Sequence, residues 1–252
     1  DYLGRLIDRA HAAQCSALVI TLDLQILGQR HRDLKNGLSA PPKLTLPTML
    51  NLATKWRWGI GMLGAKRRDF GNIVGHVQGV SDPSSLLSWT AEQFDPTLDW
   101  DKVARIKDRW GGKVILKGIL DAEDARAGLE VGADAIVVSN HGGRQLDGAL
   151  SSIRALPAIL DAVGDKVEVH LDSGIRSGQD VLKAMAMGAS GTYVGRAYTY
   201  GLGAMGEAGV TRALEIIHKE LDVSMALCGR RRIDDVDRDI LLVPEDFGGR
   251  WQ

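Results

Sequence analysis

The sequence predicts an α/β fold, a (β/α)8 or TIM barrel, on three observations. Apolar runs of strand length alternate strictly with helical patterns along the second half of the chain. The runs are near-continuously apolar, as expected of parallel strands covered on both faces. Each run ends in polar chemistry: Thr21 and Asp23, Lys117, Ser139 to His141, Asp172, and Gly195 with Arg196. Reactive groups at every strand end suit the C-terminal face of a barrel, whereas an open doubly wound sheet gathers them at one switch point. Five strands are legible and a barrel needs eight. The expectation is therefore that the first strands lie ahead of Asp1, in a chain that starts without methionine inside a helical pattern.

That opening pattern sets Leu3, Leu6, Ile7, Ala10 and Ala13 at helical spacing. Residues 17–23 read as the first strand. Residues 25–98 read as a long irregular insertion after it. A helix is expected from about Asp99, with Trp100, Val103, Ile106 and Trp110 on one stripe and Gly111 and Gly112 closing it. Residues 113–118 are the next strand. Residues 121–131 follow as a helix whose acidic first turn and Gly132 stop suit the helix dipole. Residues 135–140, 167–172 and 191–195 complete the strands. Helices over 152–163 and 178–187 separate them, and one long helix comes last.

At 252 residues, 44% hydrophobic and 25% charged, the chain has room for one large globular domain or two small ones. A net charge of −1 carries no nucleic-acid footprint. Cys15 and Cys228 form neither a CxxC pair nor a disulfide framework, so a reducing, cytoplasmic compartment is expected. No apolar run approaches the roughly 20 residues that span a bilayer. His11, His31, His76, His170 and His218 lack metal-ligand spacing with cysteines or carboxylates, and no metal is expected.

Two glycine turns carry the first chemical signal. Asp172-Ser173-Gly174-Ile175-Arg176-Ser177-Gly178 follows one strand, and Gly195-Arg196 ends the next. Glycine lets backbone N–H groups approach a phosphate, the following helix N-termini add a favourable dipole, and Arg176 and Arg196 add charge. The plainer reading is two ordinary turns with surface arginines. Lys117, at a strand tip after apolar residues, is either a salt-bridged structural lysine or a contact to an anionic cofactor. In the stretch Ser139-Asn140-His141-Gly142-Gly143-Arg144, His141 has the chemistry of a general base and Arg144 that of a two-pronged carboxylate clamp. Asp23 could orient and charge-stabilise an imidazolium. Arg30 offers a second cation for the same carboxylate, unless it is one more member of the solvated run 29–32. Together these groups fit proton removal beside a substrate carboxylate, with electrons passing to a phosphate-bearing cofactor.

The blocks SNHGGRQLDG, LDSGIRSGQDVLKA, YVGRA and LKGILDAEDA resemble the FMN-dependent α-hydroxy acid dehydrogenases and oxidases. The resemblance runs from Asp1 to about Val243, and residues 25–98 look most like the bacterial L-lactate dehydrogenases that feed the respiratory chain. It implies one domain over 1–252 with 25–98 as a lid, FMN as cofactor, and oxidation of L-lactate or a similar acid to the 2-oxo acid. Electrons would go to a quinone or a cytochrome, with oxygen as the alternative acceptor and a non-catalytic flavin-binding subunit as the alternative of another class. It implies His141 as base paired with Asp23, and Arg144 and Arg30 on the substrate carboxylate. It places Thr21 and Lys117 at the flavin ring, Ser139 beside it, and Asp172 at the ribityl chain. Gly174, Arg176, Gly195 and Arg196 would hold the phosphate. A homotetramer is implied as well.

Two readings of the insertion stay open. Trp56 and Trp58 beside Lys55 and Arg57, with Lys66, Arg67 and Arg68 further on, suit a lipid headgroup interface on the inner membrane face. Alternatively the segment, which carries Pro41, Pro42 and Pro47, is a partly helical lid packed on the barrel, with Leu46, Met49, Leu50 and Leu52 as its core face.

Overall fold

A computed structural model describes residues 2–26, 28–36, 45–65, 95–245 and 247. Pro41, Pro42, Lys66, Arg67, Arg68 and His76 lie outside the described residues. The chain divides into two compact units, one holding residues 1–14 and 24–97, the other 15–23 and 98–252.

The second unit contains a five-stranded parallel sheet in the order β1-β2-β3-β4-β5: β1 (Ala17–Thr21), β2 (Lys113–Ile119), β3 (Ala135–Val138), β4 (Glu168–Leu171) and β5 (Gly191–Thr192). The order never reverses, so there is no switch point and the strand tips form one continuous row. That succession is the one a (β/α)8 barrel requires, and a doubly wound sheet lacks it. Buried Val114, Leu116, Ile136, Val138, Val169 and Leu171 form one face of the sheet core.

Helices α5 (Trp100–Trp110), α6 (Ala122–Glu130), α7 (Ser152–Val163) and α8 (Gly178–Ala186) follow the strands in alternation. Their ends are set locally. The Asp99 side chain accepts from the Lys102 N–H, and Gly111 at φ 66° closes α5 in the left-handed region. Asp121 caps α6 by accepting from the Glu123 N–H. Burial, with the neighbouring charges of Asp121 and Glu123, raises the Asp124 carboxyl. Asp134, ahead of β3, accepts from the Val114 N–H at 2.8 Å and from Lys107 at 2.9 Å.

The last helix is not continuous. It breaks at Gly206 (φ 64°, ψ −141°) into α9 (Arg196–Met205) and α10 (Glu207–Leu227). At their crossing Gly201 and Gly209 meet backbone against backbone, so close that neither position has room for a Cβ.

The first unit holds α1 (Tyr2–Ala12), α2 (His31–Lys35), α3 (Leu46–Ala53) and α4 (Trp56–Leu63). Residues 25–98 are thus partly helical, with the Thr45 side chain accepting from the Thr48 N–H at the start of α3. Leu46, Met49, Leu50 and Leu52, the expected core face of α3, are exposed, as are Trp56, Trp58 and Ile60 of α4. An apolar stripe fixes which residues share a face, but not whether anything covers it.

Candidate active site

The site forms where the tips of β1 to β4 meet. Thr21 and Lys117 are register partners, and parallel pairing puts their side chains on one face of the sheet. Lys117 is salt-bridged: its Nζ lies 2.7 Å from Asp172 Oδ2 and donates to Ser139 Oγ at 3.1 Å. Burial alone would raise the Asp172 carboxyl. Hydrogen bonds from Lys117 and Ser139, the Lys117 charge and the Ser173 N–H outweigh it and hold the carboxyl below its ordinary range.

After β3 the chain makes a short 3-10 turn, His141–Gly143, in which Gly142 (φ 67°) and Gly143 (φ 71°) are left-handed. His141 shares that region at φ 55°, uncommon for a residue with a side chain. The turn is held by bonds to its backbone. Ser139 Oγ accepts from the His141 N–H (3.1 Å), Ser173 Oγ from the Gly142 N–H (2.9 Å) and Asn140 Oδ1 from the Gly143 N–H (3.2 Å). So held, the His141 ring sets Nδ1 at 3.2 Å from Asp23 Oδ1, across 118 residues of sequence. The other carboxylate oxygen, Asp23 Oδ2, is buried without a hydrogen-bond partner among the described residues.

Arg196 reaches the same turn, donating from Nη2 to the Gly142 carbonyl at 3.3 Å. The two glycine turns differ in what they leave open. At α8 a capping box is already closed, with Ser177 accepting from the Asp180 N–H and Asp180 from the N–H groups of Arg176 and Ser177. Those three N–H groups are bonded within the protein. At α9 the N-cap is Gly195, which brings no side-chain cap. Gly174 and Gly195 both have open space where a Cβ would stand.

Of the residues singled out from sequence, Asp23, Lys117, Ser139, His141, Asp172 and Arg196 are linked directly or through one shared group. Arg144 follows the turn and is exposed. Arg176 is exposed beside α8. Arg30 belongs to the other compact unit, just ahead of α2. Ser139, expected beside the flavin, has no exposed surface.

Three contributors escaped the sequence reading. Gln145 Nε2 donates to the Asp23 carbonyl at 2.9 Å, Ser173 holds the turn, and Gly118 lies against Asp23. Gln145 and Ser173 stand inside the motifs already quoted, so proximity to them was the available signal. For Gly118 the signal was a glycine directly after a strand-tip lysine.

Residues 1–243 match the family of FMN-dependent dehydrogenases. The chain is 46% identical over 242 residues to an L-lactate dehydrogenase of Caulobacter vibrioides, covering 95% of this chain and 63% of that protein. It is 44% identical over 244 residues to an L-lactate dehydrogenase of Pseudomonas aeruginosa, covering 96% and 63%. Among solved structures it superposes on the monotopic membrane protein (S)-mandelate dehydrogenase with a TM-score of 0.88 at 32% identity, covering 95% and 63%. On a mandelate oxidase the TM-score is 0.71 at 37% identity, covering 93% and 58%. The chain thus spans about 63% of the length of the curated relatives it matches. An unreversed parallel sheet, a histidine turn braced against a strand-tip aspartate, and this match over nearly every residue agree: the chain belongs to the FMN-dependent dehydrogenase family.

Proposed function

We propose that residues 1–252 belong to one FMN-dependent α-hydroxy acid dehydrogenase domain, with 25–98 as its insertion, oxidising L-lactate or a similar L-2-hydroxy acid to the 2-oxo acid. The observation that carries this is the His141–Asp23 pair, 3.2 Å apart beside the Lys117–Asp172 pair.

The donor set fits a phosphate-bearing flavin. The first turn of α9 has no side-chain cap, Arg196 stands at it, and Gly174 and Gly195 leave open space. Gly174, Gly195, Arg176 and Arg196 would hold the phosphate. Asp172 would take the ribityl chain, and Thr21 and Lys117 the ring. Bound FMN would supply the acceptor for two electrons and for one of the two protons.

Oxidation removes two electrons and two protons from the substrate. Arg144 binds and orients its carboxylate, and the family resemblance gives Arg30 the same role. His141 takes a proton as general base. Asp23 holds the ring through Nδ1 and stabilises the positive charge that develops on it.

The electrons pass on to a quinone or cytochrome. The exposed leucines, methionine and tryptophans of α3 and α4, with Arg57 lying 5.3 Å over the Trp56 ring, support a peripheral contact on the inner membrane face. Among the described residues no helix is long and apolar enough to cross a membrane. A homo-oligomer, a tetramer by family resemblance, completes the reading.

The test is an absorbance spectrum of the full-length protein, taken anaerobically with a panel of 2-hydroxy acids. Bleaching of a yellow flavin by L-lactate or a relative is expected. A colourless protein that takes up no FMN, or a flavin that none of the acids bleaches, overturns the reading. Peroxide formed on readmitting air would identify an oxidase instead.

A further inference from the structure

We infer that Tyr193 and His170 form a clasp between β4 and β5 and are positioning residues for the cofactor: the bond between their side chains fixes the β5 tip from which Gly195 and Arg196 reach the phosphate. The inference deepens the proposed function and rests on it.

β5 is two residues long, against seven in β2, and pairs with β4 through His170–Gly191 and Leu171–Thr192. Single backbone bonds extend the ladder on either side, from the Ser190 N–H to the Val169 carbonyl at 2.8 Å and from the Tyr193 N–H to the Leu171 carbonyl at 2.9 Å. So short a ladder holds a strand loosely, yet the residues just beyond it are the ones that must meet the phosphate.

The side chains supply what the ladder lacks. They alternate along a strand, so Glu168, His170 and Asp172 share one face of β4. The His170 ring lies over its register partner Gly191, where a Cβ would stand 3.7 Å from Cδ2. The imidazole thus crosses the strand boundary. Its Nδ1 lies 3.3 Å from the Tyr193 hydroxyl, with ring centroids 5.7 Å apart and planes tilted by 38°. Its Nε2 lies 3.1 Å from Glu168 Oε2. Burial, then the charges of Asp172 and Glu168, raise the Tyr193 phenol above its ordinary value, so it keeps its hydrogen. A neutral imidazole has one donor and one acceptor nitrogen, and a carboxylate only accepts. Nε2 therefore donates to Glu168, and Nδ1 accepts from the phenol. Glu168 is the exposed end of this chain, its side chain 70% open against 17% for His170. The inner bond, Tyr193 to His170, is the one that joins the strands. Packing alone makes a different forecast, because phenylalanine at 193 and leucine at 170 would fill much the same space without a bond.

The experiment measures FMN affinity of the full-length apoprotein by fluorescence titration, with no 2-hydroxy acid present. It compares wild type with Tyr193→Phe, His170→Leu, the double variant and His170→Asn. Each single apolar change is expected to weaken binding about fivefold, the net contribution of one hydrogen bond. The double variant should bind no more weakly than the singles, because the bond can be lost only once. His170→Asn sets an amide oxygen about where Nδ1 stood and should stay within about twofold of wild type. Wild-type affinity in either single variant overturns the inference. So do losses that multiply in the double variant, the mark of two independent packing defects, and an asparagine variant as weak as the leucine one. Should the variants fail to fold, a crystal structure of the FMN-loaded wild type decides. Tyr193 Oη bonded to His170 Nδ1 and not to FMN upholds the clasp; Tyr193 Oη bonded to FMN, or turned away from His170, sinks it. Failure of the function beneath it looks different: the wild type itself then takes up no FMN, or binds it and is reduced by none of the acids, whatever the variants do.

Discussion

Gly118→Ala is the sharpest perturbation of the site that leaves every reactive group in place. Gly118 sits where the register of β2 against β3 slips between Lys117 and Ile119, at φ 107°. A Cβ there would fall 2.7 Å from Asp23 Cγ, 2.8 Å from its Cβ and 3.0 Å from its backbone N. Carbon atoms rest at about 3.5–4.0 Å, and rotating the Asp23 side chain relieves neither its Cβ nor its backbone. The end of β1 has to move. The positive φ costs alanine about 1–2 kcal/mol and the overpacking about 1–3 kcal/mol. The sum, about 2–5 kcal/mol, is a large part of an ordinary stability of about 5–15 kcal/mol. The displaced group is the partner of His141, so flavin reduction by L-lactate should slow by about 100-fold. Urea unfolding followed by tryptophan fluorescence and stopped-flow reduction of the full-length protein measure the two effects. A stability change under about 0.5 kcal/mol with an unchanged reduction rate would mean that Gly118 and Asp23 are not packed together.

Four further outcomes are expected. His141→Gln should keep the flavin yet slow its reduction by about 10²–10⁴-fold, and a retained rate removes His141 from the mechanism. Arg144→Lys should lower kcat/KM by roughly tenfold or more, chiefly through KM, because lysine cannot make the paired planar contact; unchanged steady-state kinetics would place the substrate carboxylate elsewhere. The depressed Asp172 carboxyl contributes stability above its unfolded pKa, and that contribution is lost as pH falls through the folded one. Wild type should therefore exceed Asp172→Asn by about 3 kcal/mol at neutral pH, with the gap closing in acid below about pH 4; urea curves that keep the same gap at both pH values contradict the ion pair. Deleting residues 47–62, most of α3 and α4, should shift the protein from membrane to soluble fractions with flavin still bound, and unchanged fractionation argues against the patch.

The strand succession was legible because the strands are mostly apolar, β3 being buried at every residue, and because the polar tips are contiguous in sequence. Gly111, Asp99 and Asp121 marked helix ends for the same local reason. The site was legible as a cast of residues but not as a set of bonds. Asp23 and His141 are 118 positions apart, and their 3.2 Å contact follows from the path of a turn held by Ser139, Asn140 and Ser173. Pattern alone could not say that Ser139 is buried and bonded to Lys117, Asp172 and the His141 N–H. Nor did the helical period after Gly195 register the stop at Gly206, because the apolar spacing continues across it while a backbone at φ 64° does not. The closed box at α8 was readable from Ser177 and Asp180 standing three apart, and the glycine-turn reading passed over it. For α3, the leucines gave the face but not its covering.

The glycine crossing of α9 and α10 carries a consequence for residues far from any chemistry. Gly201 is five residues beyond Arg196, about 7.5 Å along the helix axis. A methyl group at Gly201 or Gly209 would pry the two rods apart at the fulcrum and swing the arginine end. On the proposed function, harm done at this joint, where backbone packs on backbone, would surface as a weakened grip on the phosphate.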